Sequence, residues 1–390
     1  MKLTTSYDVI VVGAGVMGSA AAYHLAGDGR QVLLLEQFQI GHTRGSSHGG
    51  SRIIRYTHAE IDFARLMPAT FARWRQLEAE SGEALLQMSG GLFMGPPDEA
   101  FLCEAQTTHQ TLHHPYQVLT QAELSDRFPQ FRLPAGWVAL YQPDAGILAA
   151  TRCVQTLARQ ASRRGADVRE GTQVLRVEPS GEGVAVHCSG PAGAETLYAR
   201  QVVISAGPWA QRLLAPLVSF PLPLQVTHQQ LAYFPVEQPD LYAVERCPVY
   251  VFTAEPHFYG FPIYEQQGHV KVGQETINTT VNPDGPRMVD QENLRALCDT
   301  IGRTLVGVRP EPSHVDLCLY TETPNRDFII DRHPDYPQIL LAAGFSGRGF
   351  KFGIAVGRLV ADLAATPPGS YASEFWLPRF ALTRFAPAAQ

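Results

Sequence analysis

The chain has 390 residues, 45% hydrophobic and 17% charged, with a formal net charge of −6. Such a length suits two domains, or one large domain with an inserted lobe, and such a composition excludes a disordered chain. The mildly acidic balance gives no reason to expect nucleic acid or an anionic membrane as partner, and no apolar run reaches the roughly 18–20 residues of a membrane span. The N-terminus lacks the charged, apolar and cleavage regions of a signal peptide. The six cysteines (Cys103, Cys153, Cys188, Cys247, Cys298, Cys318) form no C-x-x-C pair. The expectation is a cytoplasmic enzyme without disulfides or a zinc site.

Residues 7–12 read as a short buried strand that ends in Gly13-x-Gly15-x-x-Gly18. A helix over Ser19–Ala26 follows, then a strand over Val32–Leu35 that closes on Glu36. A strand, a glycine turn, a helix, a second strand and an acid form a dinucleotide fingerprint in its required context. Gly13 allows the tight turn, Gly15 lets backbone approach a pyrophosphate, and Gly18 lets the helix pack close. The helix N-terminus offers free N–H groups to phosphates, and Glu36 can accept from ribose hydroxyls. The motif alone leaves NAD(P) and FAD both open. Gly41–Ser51 is a glycine- and hydroxyl-rich loop leading to Arg52-Ile53-Ile54-Arg55. Two arginines three apart fit one side of a helical turn facing an anion, or a solvated basic turn.

Apolar spacing predicts a helix over Phe63–Glu80 with Phe63, Leu66, Phe71, Trp74 and Leu77 buried. Gly90–Met94 reads as a strand and Ala100–His114 as a helix, whose His109, His113 and His114 lack partners at metal-ligand spacing and read as a polar helix end. A strand over Val138–Tyr141, a turn over 142–146, a helix over Ala149–Arg164 and a strand over Asp167–Arg169 come next. Val174–Glu178 and Val184–Cys188 flank a Ser-Gly-Glu-Gly turn as a hairpin. Val202–Ser205 ends in Ala206-Gly207, a second place where backbone can approach a flat cofactor at a strand's carboxyl end. The proline-punctuated region that follows reads as an antiparallel sheet, including Gln230–Phe234, Tyr250–Phe252, His257–Phe261 and His269–Gly273. A helix is expected over Asp290–Leu305. A buried strand at Gln338–Ala343, a glycine-rich turn at 344–352 and a helix over Ile354–Ala364 end the chain. The fold class is therefore α/β: a Rossmann-type dinucleotide-binding domain from 1–60, 146–219 and 311–390, with a discontinuous antiparallel-sheet substrate domain from 61–145 and 220–310.

These segments, in this order, resemble the monomeric sarcosine oxidase family, which includes N-methyltryptophan oxidase and pipecolate oxidase. The carriers are Val9-Ile-Val-Val-Gly-Ala-Gly-Val-Met-Gly18, His48-Gly-Gly-Ser-Arg-Ile-Ile-Arg55 and Tyr259-Gly-Phe-Pro262. Val270-Lys-Val-Gly273, Leu317-Cys-Leu-Tyr-Thr321, Asp327-Phe-Ile-Ile-Asp331 and Gly344-Phe-Ser-Gly-Arg-Gly-Phe-Lys-Phe352 complete the set. The resemblance implies FAD, joined through the sulfur of Cys318 to the flavin 8α carbon. It implies cofactor contacts from Gly13, Gly15, Val16, Met17, Gly18, Glu36, Gln37, Ser46, Ser47, Arg52, Val174, Ala206, Gly207 and Trp209. Gly347, Arg348, Gly349, Phe350 and Lys351 join them at the tail. His48 and Arg52 match positions beside the flavin ring. Arg55 and Lys351 match the clamp on the substrate carboxylate, and Tyr259 lies in the matched substrate pocket. Lys271 matches the lysine that promotes reduction of O2, a role suited to a fixed ammonium.

Three departures bear on the substrate. Glu275 stands where the family commonly has histidine, Arg348 replaces another histidine, and the usual His-His pair is Ser47-His48. An acid at 275 disfavours a second substrate carboxylate, suits a cationic or hydroxyl-rich group, and would be able to pair with Arg348. The implied reaction is oxidation of a secondary, N-methyl-type amino acid to an imine that water hydrolyses, with O2 reduced to hydrogen peroxide. Cyclic imino acids, glycated amino acids, a dehydrogenase that bypasses O2 and a redox-inactive NAD(P) sensor are the alternatives. A monomer acting on a small amino acid, without nucleic acid or membrane partners, is expected.

Overall fold

The computed structural model describes residues 7–255, 257–274, 280–369, 373 and 375–386. Strand β1 (Tyr7–Val12) runs into helix α1 (Val16–Gly27), and β2 (Val32–Leu35) returns parallel beside it. Eleven of the twelve residues of α1 are buried, so a helix rich in alanine and glycine is needed here: it is packed on all sides. The loop after β2 delivers β3 (Arg52–Ile54), paired antiparallel with the Gly146–Leu148 strand in a small three-stranded sheet. The helical turn expected at 52–55 is therefore corrected to a strand. The β-branched pair Ile53-Ile54 favours extended backbone, and the sheet partner lies more than ninety residues on, out of reach of local pattern.

Helix α2 (Ile61–Ser81) buries Phe63, Leu66, Phe71, Trp74 and Leu77 as its spacing predicts, in the same core as α1, and ends on Gly82 in the left-handed conformation. The 100–112 helix stops before the predicted end because His113 adopts φ 55°. Its His109 is not part of a polar end: it is buried and shares a 3.0 Å hydrogen bond with Thr57 Oγ1. Helix α3 (Ala150–Arg163) packs on α1. β4 (Gly193–Ile204) begins earlier than predicted, pairs parallel with β1, and forms with the 173–180 and 183–190 strands a meander on one edge of an eight-stranded sheet.

A second eight-stranded sheet contains β5 (Gln225–Pro235), β6 (Phe258–Phe261), β7 (His269–Gln274) and β8 (His314–Glu322), with β7 between β5 and β6 and β8 on the far side of β5. β9 (Ile339–Ala343) returns to the first sheet parallel to β4. Helix α4 (Gly353–Ala365) then packs against α1. Among the described residues no helix is long and apolar enough to cross a membrane, and the six cysteines are free. The mixed α/β architecture is as expected. The carboxyl ends of β1, β4 and β9, the N-terminus of α1 and the loop before α4 converge on one cleft.

Candidate functional site

The cleft encloses about 1330 Å3, space open to solvent included, and runs from Glu36 and Val174 past the β1–α1 turn to Arg52, Tyr320 and Phe350. Gly13 holds φ 95°, and a Cβ there would lie 2.7 Å from the Ser205 carbonyl, so only glycine makes this turn. Val16 N donates to Ser47 Oγ at 3.1 Å, pinning the 41–51 loop over the start of α1. Glu36 is buried at the end of β2, accepting from Ala14 N at 2.8 Å and Phe38 N at 3.0 Å, with His42 Nε2 at 3.4 Å. Burial works against its charge, but those donors prevail and keep its carboxyl below the usual range. Ala206, Gly207 and Trp209 form the opposite wall, where Trp209 Nε1 donates to Asp284 at 2.7 Å.

Cations gather at the inner end. Arg52 donates to the carbonyls of Ser51 and Ser46, each at 2.8 Å, and its guanidinium lies 5.5 Å from the Phe350 ring centroid. Lys351 sits in the short Phe350–Phe352 helical turn, 6% exposed, donating to the Arg348 carbonyl at 2.9 Å; Trp74 of α2 donates to the Lys351 carbonyl at 2.7 Å and fixes that turn. Arg55 stacks over Phe93 and Phe101. Between them His58 is fully buried; that burial, with Arg55, Lys351 and Arg348 close by, holds it neutral, well below its ordinary pKa. His48, buried beside Arg52, is likewise pushed down to about 4, by burial first and that guanidinium second. Lys271 is 3% exposed on β7 and pairs with Glu265 at 2.6 Å. Tyr259 reaches the Tyr320 hydroxyl at 3.4 Å.

Gly13, Gly15, Val16, Met17, Glu36, Gln37, Ser46, Ser47, Arg52, Val174, Ala206, Gly207, Trp209, Gly347, Gly349 and Phe350 all border the cleft. Gly18 instead lets α1 meet the backbone of Gly13, where a Cβ would come within 1.8 Å of its carbonyl oxygen. Arg348 points elsewhere: it pairs with Glu60 at 2.6 Å and Asp327 at 3.4 Å. Glu275 lies outside the described residues. Cys318 is fully buried on β8 and does not itself border the cleft; Tyr320, two residues on and so on the same face of the strand, does. Burial raises the Cys318 thiol, opposed by the charges of Arg52, Lys271 and Arg287. Glu265 is the residue that sequence reading missed. One available signal was composition: the chain has only three lysines, Lys2, Lys271 and Lys351, and both internal ones are buried at this site.

A family model described as FAD dependent oxidoreductase matches residues 8–363. The chain is 36% identical to human peroxisomal sarcosine oxidase over 373 residues, covering 94% of each. It is 32% identical to the monomeric sarcosine oxidase of Bacillus sp. (strain NS-129), covering 93% of this chain and 94% of that one. The open form of NikD, an unusual amino acid oxidase essential for nikkomycin biosynthesis, superposes with a TM-score of 0.84 at 28% identity, covering 97% of this chain and 98% of that chain. The residues present suit FAD. Gly13, Gly15, Ala206 and Gly207 line the cleft with backbone that a flat cofactor can approach closely, and Glu36 is a buried acceptor at the nucleotide end.

Proposed function

This chain belongs to the FAD-dependent oxidoreductase family and is an amine oxidoreductase, and from that premise we propose that it oxidises a secondary, N-methyl-type amino acid at the expense of O2. The observation that carries this reading is the pair of cations around neutral His58: buried Lys351, next to Phe350 of the cleft wall, and half-buried Arg55. Two positive groups close together, one of them buried, favour an anion there, and a planar guanidinium with a compact ammonium suits a carboxylate. FAD, when bound, supplies the hydride acceptor for the CH–NH bond and the electrons that reduce O2. Arg55 and Lys351 hold the substrate by its carboxylate and so orient its α-carbon. Arg52, tied by its two carbonyl contacts, presents fixed positive charge to the cleft. His48, neutral at pH 7, adds no competing charge. Tyr259 flanks the pocket through Tyr320.

Lys271 supplies the second positive charge, for reduction of O2, and Cys318 is the attachment point of the cofactor. The charges of Arg52, Lys271 and Arg287 around Cys318 support thiolate character when attachment takes place. The 7–36, 199–209 and 338–364 segments form the cofactor part, and the antiparallel sheet supplies the substrate part. The bacterial relatives are named monomeric sarcosine oxidases, which favours a monomer.

A peroxide-release screen over N-methyl, cyclic and glycated amino acids, paired with anaerobic bleaching of the flavin absorbance, tests the function. Peroxide with an N-methyl amino acid is expected. Bleaching without peroxide would make the chain a dehydrogenase, and neither signal with any amine would end the proposal.

A further inference from the structure

We propose that Glu265 is the positioning residue for Lys271: it keeps the ammonium charged and ties it to the Gly49–Ser51 loop that delivers Arg52 to the cleft. Glu265 lies in the turn between β6 and β7 and is saturated by donors from three other parts of the chain. Lys271 Nζ reaches Oε1 at 2.6 Å, Gly50 N reaches Oε2 at 2.9 Å, and Tyr233 of β5 donates to Oε2 at 2.8 Å. Ser51 Oγ makes a short contact to Oε1 and also accepts from Lys271 at 3.1 Å. Two carboxylate oxygens offer about four acceptor positions, and all four are used. The approach requires glycine at position 50, because a Cβ there would lie 2.4 Å from the Glu265 side chain. Gly49 has Arg52 Nη1 and Lys271 Nζ within 4 Å of where its Cβ would be, so one loop touches both cations.

The carboxylate is needed because of where the ammonium sits. Lys271 lies on an inner strand, 3% exposed, facing Tyr233, the Phe261 ring, Glu265, Arg52 and Cys318. Burial works against its charge and Arg52 adds repulsion; Glu265, by charge and hydrogen bond, is the largest influence that opposes them, ahead of Cys318. In return, Lys271 and the other donors overcome the burial of Glu265 and take its carboxyl down to about 2. An ammonium that lost this partner would hold its proton less tightly, and in its neutral form an amine cannot stabilise developing negative charge on O2.

This inference rests on the oxidase reading only for its kinetic arm. With three lysines in the chain, protein labelled with 13C at lysine Cε gives three resonances, and Lys271→Met assigns the one of interest. In the full chain as purified, Glu265→Gln should make that resonance titrate about two pH units lower. In parallel, dithionite-reduced Glu265→Gln protein should reoxidise with O2 about tenfold more slowly or worse at pH 7. That deficit should widen as pH rises, and anaerobic reduction by amine should change little. Glu265→Asp, which keeps the charge, should recover most of the rate. Gly50→Ala, which displaces the carboxylate without removing it, should move the lysine titration in the same direction, and it decides the matter if Glu265→Gln does not fold. An unmoved Lys271 resonance, or a shifted resonance with normal reoxidation, overturns the proposal. A chain that oxidises no amine would end the functional reading while leaving the lysine titration to judge the pair.

Discussion

Cys318 and Lys271 are opposite cases of the same physics. Burial pushes the Cys318 thiol up and the Lys271 ammonium down, so each is driven toward its neutral form; the opposing charges come from distant segments at Cys318 and from Glu265, six residues away, at Lys271. Cys318→Ser should therefore yield protein whose yellow colour passes into the supernatant on acid precipitation, whereas the unaltered protein keeps it in the pellet. Colour in the supernatant of both would dispose of covalent attachment. Lys271→Met should slow reoxidation by O2 about 100-fold while anaerobic reduction by amine is nearly unchanged, because the lost charge acts on the oxygen step alone. Stopped-flow traces in which both steps slow equally would remove that role. Neither residue announces itself in local sequence: Cys318 reads as a buried thiol and Lys271 as one face of a strand, and only the resemblance singles them out. Glu265 was less legible still. Between Tyr264 and Gln266-Gln267-Gly268 it reads as a solvated turn, and its partners Gly50 and Tyr233 come together only in the fold.

At the scale of elements, the packing of α4 on α1 places the start of α1 against the cleft. A Cβ on Gly357 would come within 2.4 Å of the Ala20 backbone, so α4 carries glycine where the helices cross. Gly→Ala inside a helix ordinarily stabilises by up to about 1 kcal/mol. Here overpacking against backbone costs about 1–3 kcal/mol, so the sign reverses. Gly357→Ala should melt at a lower temperature and bind less FAD, as read by calorimetry and by the ratio of flavin to protein absorbance. A more stable variant would contradict this packing. The helices themselves were legible because apolar residues recur with their period: α2 shows all five predicted residues buried. The 52–55 segment was not legible, since two arginines bracketing two isoleucines fit a helical turn as well as a strand. The choice is made by its pairing with the 146–148 strand. The early start of β4 has a similar cause: Ala194–Thr196 lack an apolar run and are extended because the neighbouring hairpin strand pairs with them.

For the whole molecule, the interior holds several histidines that fold neutral. His24 packs α1 on α4 with Nε2 donating to the Ile354 carbonyl at 3.1 Å and is lowered to about 3, by burial first and then Arg358 and Arg73. His48 and His109 are each taken to about 4, chiefly by burial. The unfolded chain binds protons at these sites near pH 6.5, so between that value and about 4 it carries more protons than the folded chain. Stability therefore falls as pH drops through this window and is fully present above it. At pH 5 each such histidine costs about 2 kcal/mol, and three together approach the whole of a typical folding free energy. Glu265 acts in a lower window. Its folded carboxyl stands at about 2 against an ordinary 4.5, so its contribution is present above 4.5 and lost only as pH falls toward 2. Acid sensitivity should thus begin with the histidines, before the paired carboxylates titrate. Thermal melts at pH 8 and pH 5 in the same ionic strength should differ by roughly 5–10 °C. His24→Gln with His109→Gln should narrow that gap by removing two of the protonation sites. Equal melts for the unaltered chain at the two pH values would mean that these rings are charged, or solvated, in the folded protein.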